Sequence, residues 1–197
     1  MNVSETKKMY SYVRSYASSQ NMIQTLIALS FARKACKHKR RENGELYISR
    51  ILFMAYYALR IGIDNDCTIA TILLHNICED FNVELCNLQV NEEVQKSISI
   101  VCGSYKEFLD MKTQYMQLAD NKDSFVAKIL DICFNIPPRC DMKKRITELR
   151  DYMLPTVDKM IGKHICISNQ LFIIKCNIIN MCNVIELTMK GYSDTNV

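Results

Sequence analysis

Apolar residues recur along this chain at helical spacing, and few positions interrupt them. Residues 5–19 are compatible with a helix. Met22, Leu26, Leu29 and Ala32 or Arg33 then fall at intervals that predict a longer helix over 21–41, stopped by the Asn43-Gly44 turn signal. After GELY (44–47) a third helix is predicted over 48–61, closed by Gly62. Asp64-Asn65-Asp66 supplies an N-cap region for CTIATILLHNIC, which is apolar on all sides and so predicts a helix at the centre of the core. Further helices are predicted over 91–102, 124–136 (SFVAKILDICFNI, stopped by Pro137-Pro138), about 142–161 and 169–190. The stretch 104–123 is polar and receives no structure, and the tail 191–197 is expected to fray.

Only five glycines and three prolines punctuate these segments, so the fold class is read as all-α, with residues 1–197 forming a single domain without internal repeats. The 49% hydrophobic and 23% charged content suits one globular core. Ten cysteines are spread singly, mostly in apolar segments and without a CxxC pair or an N-terminal signal peptide, which predicts reduced, buried thiols and a cytoplasmic location. The longest apolar run, QLFIIKCNIINMCNVIEL, is broken by lysine and asparagines, so no membrane association is expected. That last helix, rich in Ile and Met, is as well suited to burying a dimer surface as to packing on its own core, which leaves a homo-oligomer open.

The net charge of +4 is mild and locally concentrated, in RKACKHKRR (33–41) and KKR (143–145). Such clusters suit a small phosphorylated ligand at least as well as nucleic acid, which would call for a longer basic stripe with exposed aromatics; nucleic acid is not expected as a partner. Each run taken alone also fits a solvated helix end, where the dipole favours cations.

Two apolar helices carry polar intrusions. In HNICED, His75 and Glu79 share a face, as do Asn76 and Asp80; in VAKILDICFNI, Lys128 accompanies Asp131 and Asn135, which lie one turn apart. Burying such groups costs several kcal/mol unless they are paired or bind a ligand. Each stripe alone is a natural hydrogen-bonded register network. Together with the basic loop they are read as a site between two core helices.

These residues carry a resemblance. FARKACKHKRRENGELYISRILFMA resembles the Rel/SpoT hydrolase pattern FARKAHxGQxRKSGEPYIxHPLxVA, GIDNDCTIATILLHNICED resembles LxLDxDTIAAALLHDVVED, and AKILDICFN resembles KLADRLHN, in the same order and over roughly residues 26–136. The resemblance implies the helical bundle of the HD-domain alarmone hydrolases, with a family-like core at about 21–161. These include small stand-alone enzymes that remove the 3′-pyrophosphate of (p)ppGpp with Mn2+. In that pattern four metal ligands stand where this chain has Arg50, His75, Asn76 and Asp131. Two of the four are therefore changed: a carboxylate becomes an amide and an imidazole becomes a permanent guanidinium cation, so no metal or other cofactor is expected and His75 and Asp131 are vestigial metal positions.

Other positions agree with the pattern. Glu79 and Asp80 match its catalytic acidic pair, Arg41 the arginine stacked on the base, and Gly44, Tyr47 and Asn135 the pocket around it, with Asn43 taken as a further ligand-binding residue there and Lys144 or Arg145 placed as a phosphate-binding base. Glu42, Leu46 and Cys36 depart from it. His38 and Cys36 are alternative substitute ligands, but both sit beside the basic run. Arg50, beside Asp131, reads as a fixed positive centre that attracts phosphate without lowering a water's pKa, or as a salt bridge filling a vacancy. The resulting expectation is sequestration or sensing of a phosphorylated purine nucleotide. The alternatives are an active Mn2+-dependent pyrophosphohydrolase and an interaction protein with a vestigial pocket.

Overall fold

The structure, a computed structural model, describes residues 3–41, 44–103, 110–135 and 141–193. Every regular element among them is helical, apart from one isolated antiparallel bridge between Arg40 and Leu46. Helices α2 (Ile23–Ala35) and α3 (Tyr47–Arg60) pack on α4 (Asp66–Leu74), α1 (Val3–Ser19) packs on α3 and α2, α4 packs on α8 (Lys122–Cys133), and α6 (Glu92–Gly103) contacts both α4 and α8. The short α5 (Ile77–Phe81) follows α4, and α7 (Met111–Ala119) precedes α8. The C-terminal part comprises α9 (Met142–Thr147), a π-helical segment (Glu148–Met153), α10 (Leu154–Lys163) and α11 (Ser168–Ser193), with α10 and α11 packed together.

The two helices read as most apolar are the centre of the molecule: α4 is buried from Thr68 to Leu74, and α8 from Asp123 to Cys133. Their ends are set by side chains. Asn65 accepts a hydrogen bond from the Thr68 N–H, and Asn121 from that of Ser124. The first N–H groups of α2 have no local cap; the Asp66 carboxylate accepts from Gln24 N at 2.9 Å and Thr25 N at 2.7 Å, tying α2 to the start of α4.

Several boundaries differ from the sequence reading. Helix α2 ends at Ala35, not at 41: the chain turns at Cys36–His38, with His38 at φ +67°, and Arg40 bridges back to Leu46, so the basic run leaves the helix as a loop. The apolar helix carrying His75 is not continuous, since α4 stops at Leu74 and the backbone re-forms as α5 after Asn76. The polar stretch left without structure holds α7, capped by Asp110 on the Thr113 N–H. Helix α8 ends at Cys133, so Asn135 follows the helix instead of lying on its face. The final helix runs to Ser193, beyond the point where fraying was expected. Pro137-Pro138, Asn43, Cys140 and the last four residues lie outside the described residues.

The described cysteines are free thiols, but only Cys36, Cys133 and Cys182 are buried, and Cys86, Cys166 and Cys176 are exposed, which corrects the expectation of uniformly buried thiols. Helix α11 covers the apolar run whose lysine and asparagines argue against a bilayer span; by length and composition it is long and apolar enough for one, and one of its faces belongs to the core through Leu171, Ile174 and Ile178.

Candidate functional site

Three elements converge at the junction of α4 and α5. Helix α3 brings Arg50 from its first turn, the α4–α5 break brings His75, and α8 brings Asp131. Arg50 Nη2 donates both to the Asp131 backbone carbonyl, at 2.8 Å, and to its carboxylate oxygen Oδ1. His75, only 2% exposed, places Nε2 3.3 Å from that same Oδ1. Its Nδ1 lies 2.8 Å from the carbonyl of Ile72. A carbonyl only accepts, so Nδ1 carries a proton, and in the neutral ring Nε2 presents its lone pair toward Asp131. That nitrogen is buried and makes no hydrogen bond.

The charges around Asp131 decide its state. Burial alone would raise its carboxyl, but His75 in its doubly protonated form, Arg50 and Lys128 facing it outweigh burial and bring it down to about 2. Lys128 is itself buried, and loss of hydration lowers its amine to about 8 against the opposing pull of Asp131, Glu148 and Glu79, with Arg145 adding to the lowering. Arg145 donates to Glu148 at 2.6 Å, and Glu148 also accepts from the Tyr115 hydroxyl at 2.9 Å. Glu79 and Asp80 keep solvent access on α5, yet both carboxyls are raised by partial burial, opposed in Glu79 by Lys128 and His75 and in Asp80 by Lys39 and Arg41.

A buried lysine held near the edge of neutrality yields a testable consequence. Its folded-state pKa lies below its ordinary 10.5, so the folded protein binds fewer protons than the unfolded chain between pH 8 and 10.5, and stability rises with pH across that window. Replacing Lys128 by Met, which keeps the stem and removes the charge, is expected to stabilise the protein at pH 7 by up to about 3 kcal/mol and to erase that slope. Urea unfolding of parent and variant at pH 7, 8, 9 and 10 checks this; parallel curves at every pH would refute it.

Of the residues selected from the sequence, the structure brings Arg50, His75 and Asp131 into direct contact and sets Glu79, Asp80, Arg41 and Arg145 around them. Tyr47 packs edge-on against Phe81, ring centroids 5.1 Å apart. Asn76 is half-buried at the helix break, where its carbonyl accepts from the Asp80 N–H. Lys144 has an exposed side chain, and Asn135 closes the end of α8 through its N–H to Ile132 O; neither joins the contact set. Asn43 lies outside the described residues.

Sequence reasoning missed Lys39 and Phe81. The Lys39 ammonium sits 4.0 Å from the Phe81 ring centroid and 5.5 Å from that of Tyr47, and donates to the Asp80 carbonyl at 2.6 Å. It fastens the basic loop onto α5. The signal was present as a lysine in RKACKHKRR and an aromatic after Glu-Asp, but only the turn at 36–38 brings them together. Cys36 and His38 offer no replacement donor. Cys36 is buried and its thiol is pushed up to about 12, chiefly by burial, while His38 is exposed on the turn.

The resemblance to the HD-domain hydrolases implies a divalent metal at this position, which requires several lone-pair donors around one point. His75 Nε2 has the tautomer and open lone pair of a metal ligand. Its neighbour Asp131 is engaged by a guanidinium, the adjacent position 76 carries a neutral amide, and among the described residues no group of three His, Cys, Asp or Glu side chains could hold an ion. Two donors with a fixed cation seated on one of them do not fit a divalent metal.

The HD-domain family model matches residues 28–127, taking in Arg50 and the His75–Asp80 segment and stopping just before Lys128 and Asp131. No curated protein and no solved structure matches the chain. A match over more than half of the 197 residues, on an all-helical core with its polar side chains at the α4–α5 break, places this chain in the HD-domain family.

Proposed function

We propose that this HD-domain protein binds a phosphorylated purine nucleotide and holds it without metal-dependent hydrolysis. The observation that carries this reading is the guanidinium of Arg50 on the carboxylate of Asp131, where the family pattern has a metal ion. A fixed positive charge there attracts a phosphate, as the ion would, but it has no vacant orbital for a water and does not generate hydroxide at neutral pH. The sites for the rest of the ligand follow from the same neighbourhood. Arg41 near Asp80 and the Tyr47–Phe81 pair lie beside the loop that the Rel/SpoT resemblance assigns to the base, and Arg145 supplies a second cation beside Lys128. The substrate class rests on that resemblance, and the cytoplasmic setting on the scattered cysteines.

A second reading, Mn2+-dependent pyrophosphohydrolysis, is favoured by one specific atom, the open Nε2 of His75, and requires Arg50 to leave Asp131.

One experiment separates them. Purified protein is mixed with ppGpp and a panel of adenine and guanine nucleotides, with and without Mn2+, and the solution is chromatographed before and after heat denaturation. The expected result is stoichiometric depletion of one nucleotide and its return intact on denaturation, with Mn2+ making no difference. Accumulation of pyrophosphate with turnover would establish the second reading instead, and depletion of none of the nucleotides would leave the pocket vestigial.

A further inference from the structure

Helix α11 has two faces of opposite fate. Leu171, Ile174, Ile178, Cys182 and Ile185 are buried in the core. Of the nine large hydrophobic side chains that are exposed among the described residues, six fall on or just before the other face: Ile165, Phe172, Ile173, Ile179, Val184 and Leu187. Leu187 is 68% and Phe172 56% exposed, values that would be costly if this face met only water. From Ile165 to Leu187 no exposed residue is charged; Lys175 and Glu186 are drawn aside onto the protein's own Asp158 and Arg150, at 2.5 and 2.6 Å.

The order of residues on this stripe identifies what covers it. Counted outward from the exposed Cys176, Ile173 corresponds to Ile179, Asn169 to Asn183, and Ile165 to Leu187. Reversing the helix superposes these three pairs, apolar on apolar and amide on amide, while Phe172 falls opposite Asn180 and Val184 opposite Ser168. A two-fold interface demands this self-complementarity, because residue i meets j while j meets i, whereas a bilayer or an unrelated partner does not. Asparagine amides both donate and accept, so an Asn169–Asn183 pair satisfies itself in a buried seam and fixes its register. The six apolar side chains expose roughly 600 Å2 together, near the ~800 Å2 per partner of a standard interface once their polar neighbours are added. The length and apolar composition of the helix would also suit a membrane. A helix lying on a lipid surface instead calls for a basic polar face, while here the outer face carries asparagines and the inner face is spent on the core.

We infer that α11 is the interface of a homodimer, two copies of the helix packing antiparallel about a two-fold axis at Cys176. The dimer places the two Cys176 thiols side by side on the axis and buries Ile179 next to them. Sedimentation velocity over about 1 to 100 µM, a range that brackets ordinary homodimer affinities, is expected to show a dimer. Ile179→Glu, an exposed position whose change leaves the core untouched, is expected to give a monomer with unchanged circular dichroism. Brief oxidation with copper(II)-phenanthroline, which takes two electrons from two thiols, releases two protons and leaves one S–S bond, is expected to cross-link the chain through Cys176. The cross-linked fraction should fall at least about tenfold in Cys176→Ser and in Ile179→Glu. A monomer throughout the range, a dimer indifferent to Ile179→Glu, or cross-linking that persists in Cys176→Ser would overturn the assignment. Flotation of the protein with phosphatidylcholine–phosphatidylglycerol vesicles would overturn it in favour of a membrane.

Discussion

The double variant Arg50→His, Asn76→Asp is expected to acquire one Mn2+ ion per chain, bound at least about a hundredfold more tightly than by the parent protein, since even second-shell changes at metal sites cost 10–100-fold in affinity. The reasoning is local. His75 already has the required tautomer, with its Nδ1 proton directed at the Ile72 carbonyl and Nε2 left open 3.3 Å from Asp131 Oδ1. What stands against an ion is the guanidinium on that oxygen and the lack of a carboxylate at 76. Arg50→His removes a permanent charge and adds a donor; Asn76→Asp adds the negative charge that hard divalent ions require. The single variants separate the two effects, and Asn76→Asp alone is expected to gain little while Arg50 still competes for Asp131. Metal analysis after gel filtration and titration calorimetry check the result. Equal Mn2+ affinity in parent and double variant would show that Arg50 is no obstacle and would count against the nucleotide-holding reading.

That site was legible in the sequence to the extent that its signals are local. HNxxED in an apolar helix and an aspartate in a second apolar helix mark polar groups that burial must explain, and both helices turned out to be the centre of the core. The family pattern then placed Arg50 beside Asp131 without any contact being visible. What escaped was decided by long-range geometry. The basic run looked like a helix end because its residues are good helix formers, but the chain turns at Cys36–His38 and Lys39 closes onto Phe81 and the Asp80 carbonyl 41 residues away. The break between Leu74 and Ile77 was invisible because helix periodicity continues through it. Helix α7 was passed over as polar, although Asp110-x-x-Thr113 is a cap signature at its start and Asn121-x-x-Ser124 marks the next helix. The outer face of α11 was ambiguous in principle: a stripe of Ile, Phe and Leu reads the same whether its own core or a second copy covers it, and only the exposed areas distinguish the cases.

Removing Asp131 is expected to be the most damaging single change in the protein, at about 3–5 kcal/mol for Asp131→Ala, the range for breaking a buried ion pair from one side. The carboxylate accepts from Arg50, faces His75 Nε2 and draws on Lys128, so its loss takes from a guanidinium and an ammonium in poorly hydrated surroundings the carboxylate they share. Asp131→Asn is expected to cost nearly as much, because it keeps the shape and one acceptor but not the charge. The pair Arg50→Met, Asp131→Leu is expected to recover most of the loss, since both charges then leave together. The pH dependence carries its own sign. The folded-state carboxyl is depressed from 3.8 to about 2, so the unfolded chain takes up the proton first as pH falls. The contribution is fully present above about pH 4 and disappears through pH 2, and this part amounts to about 2 kcal/mol. Urea unfolding at pH 7 and in steps down to about pH 2 is expected to show the parent curve converging toward that of Asp131→Ala at the acid end. A difference of less than about 1 kcal/mol at pH 7, or one that stays constant to pH 2, would mean that Arg50 and Lys128 find other partners once Asp131 is gone. Arg50 would then be an unanchored side chain, and the fixed positive centre on which nucleotide binding is argued would be lost with it.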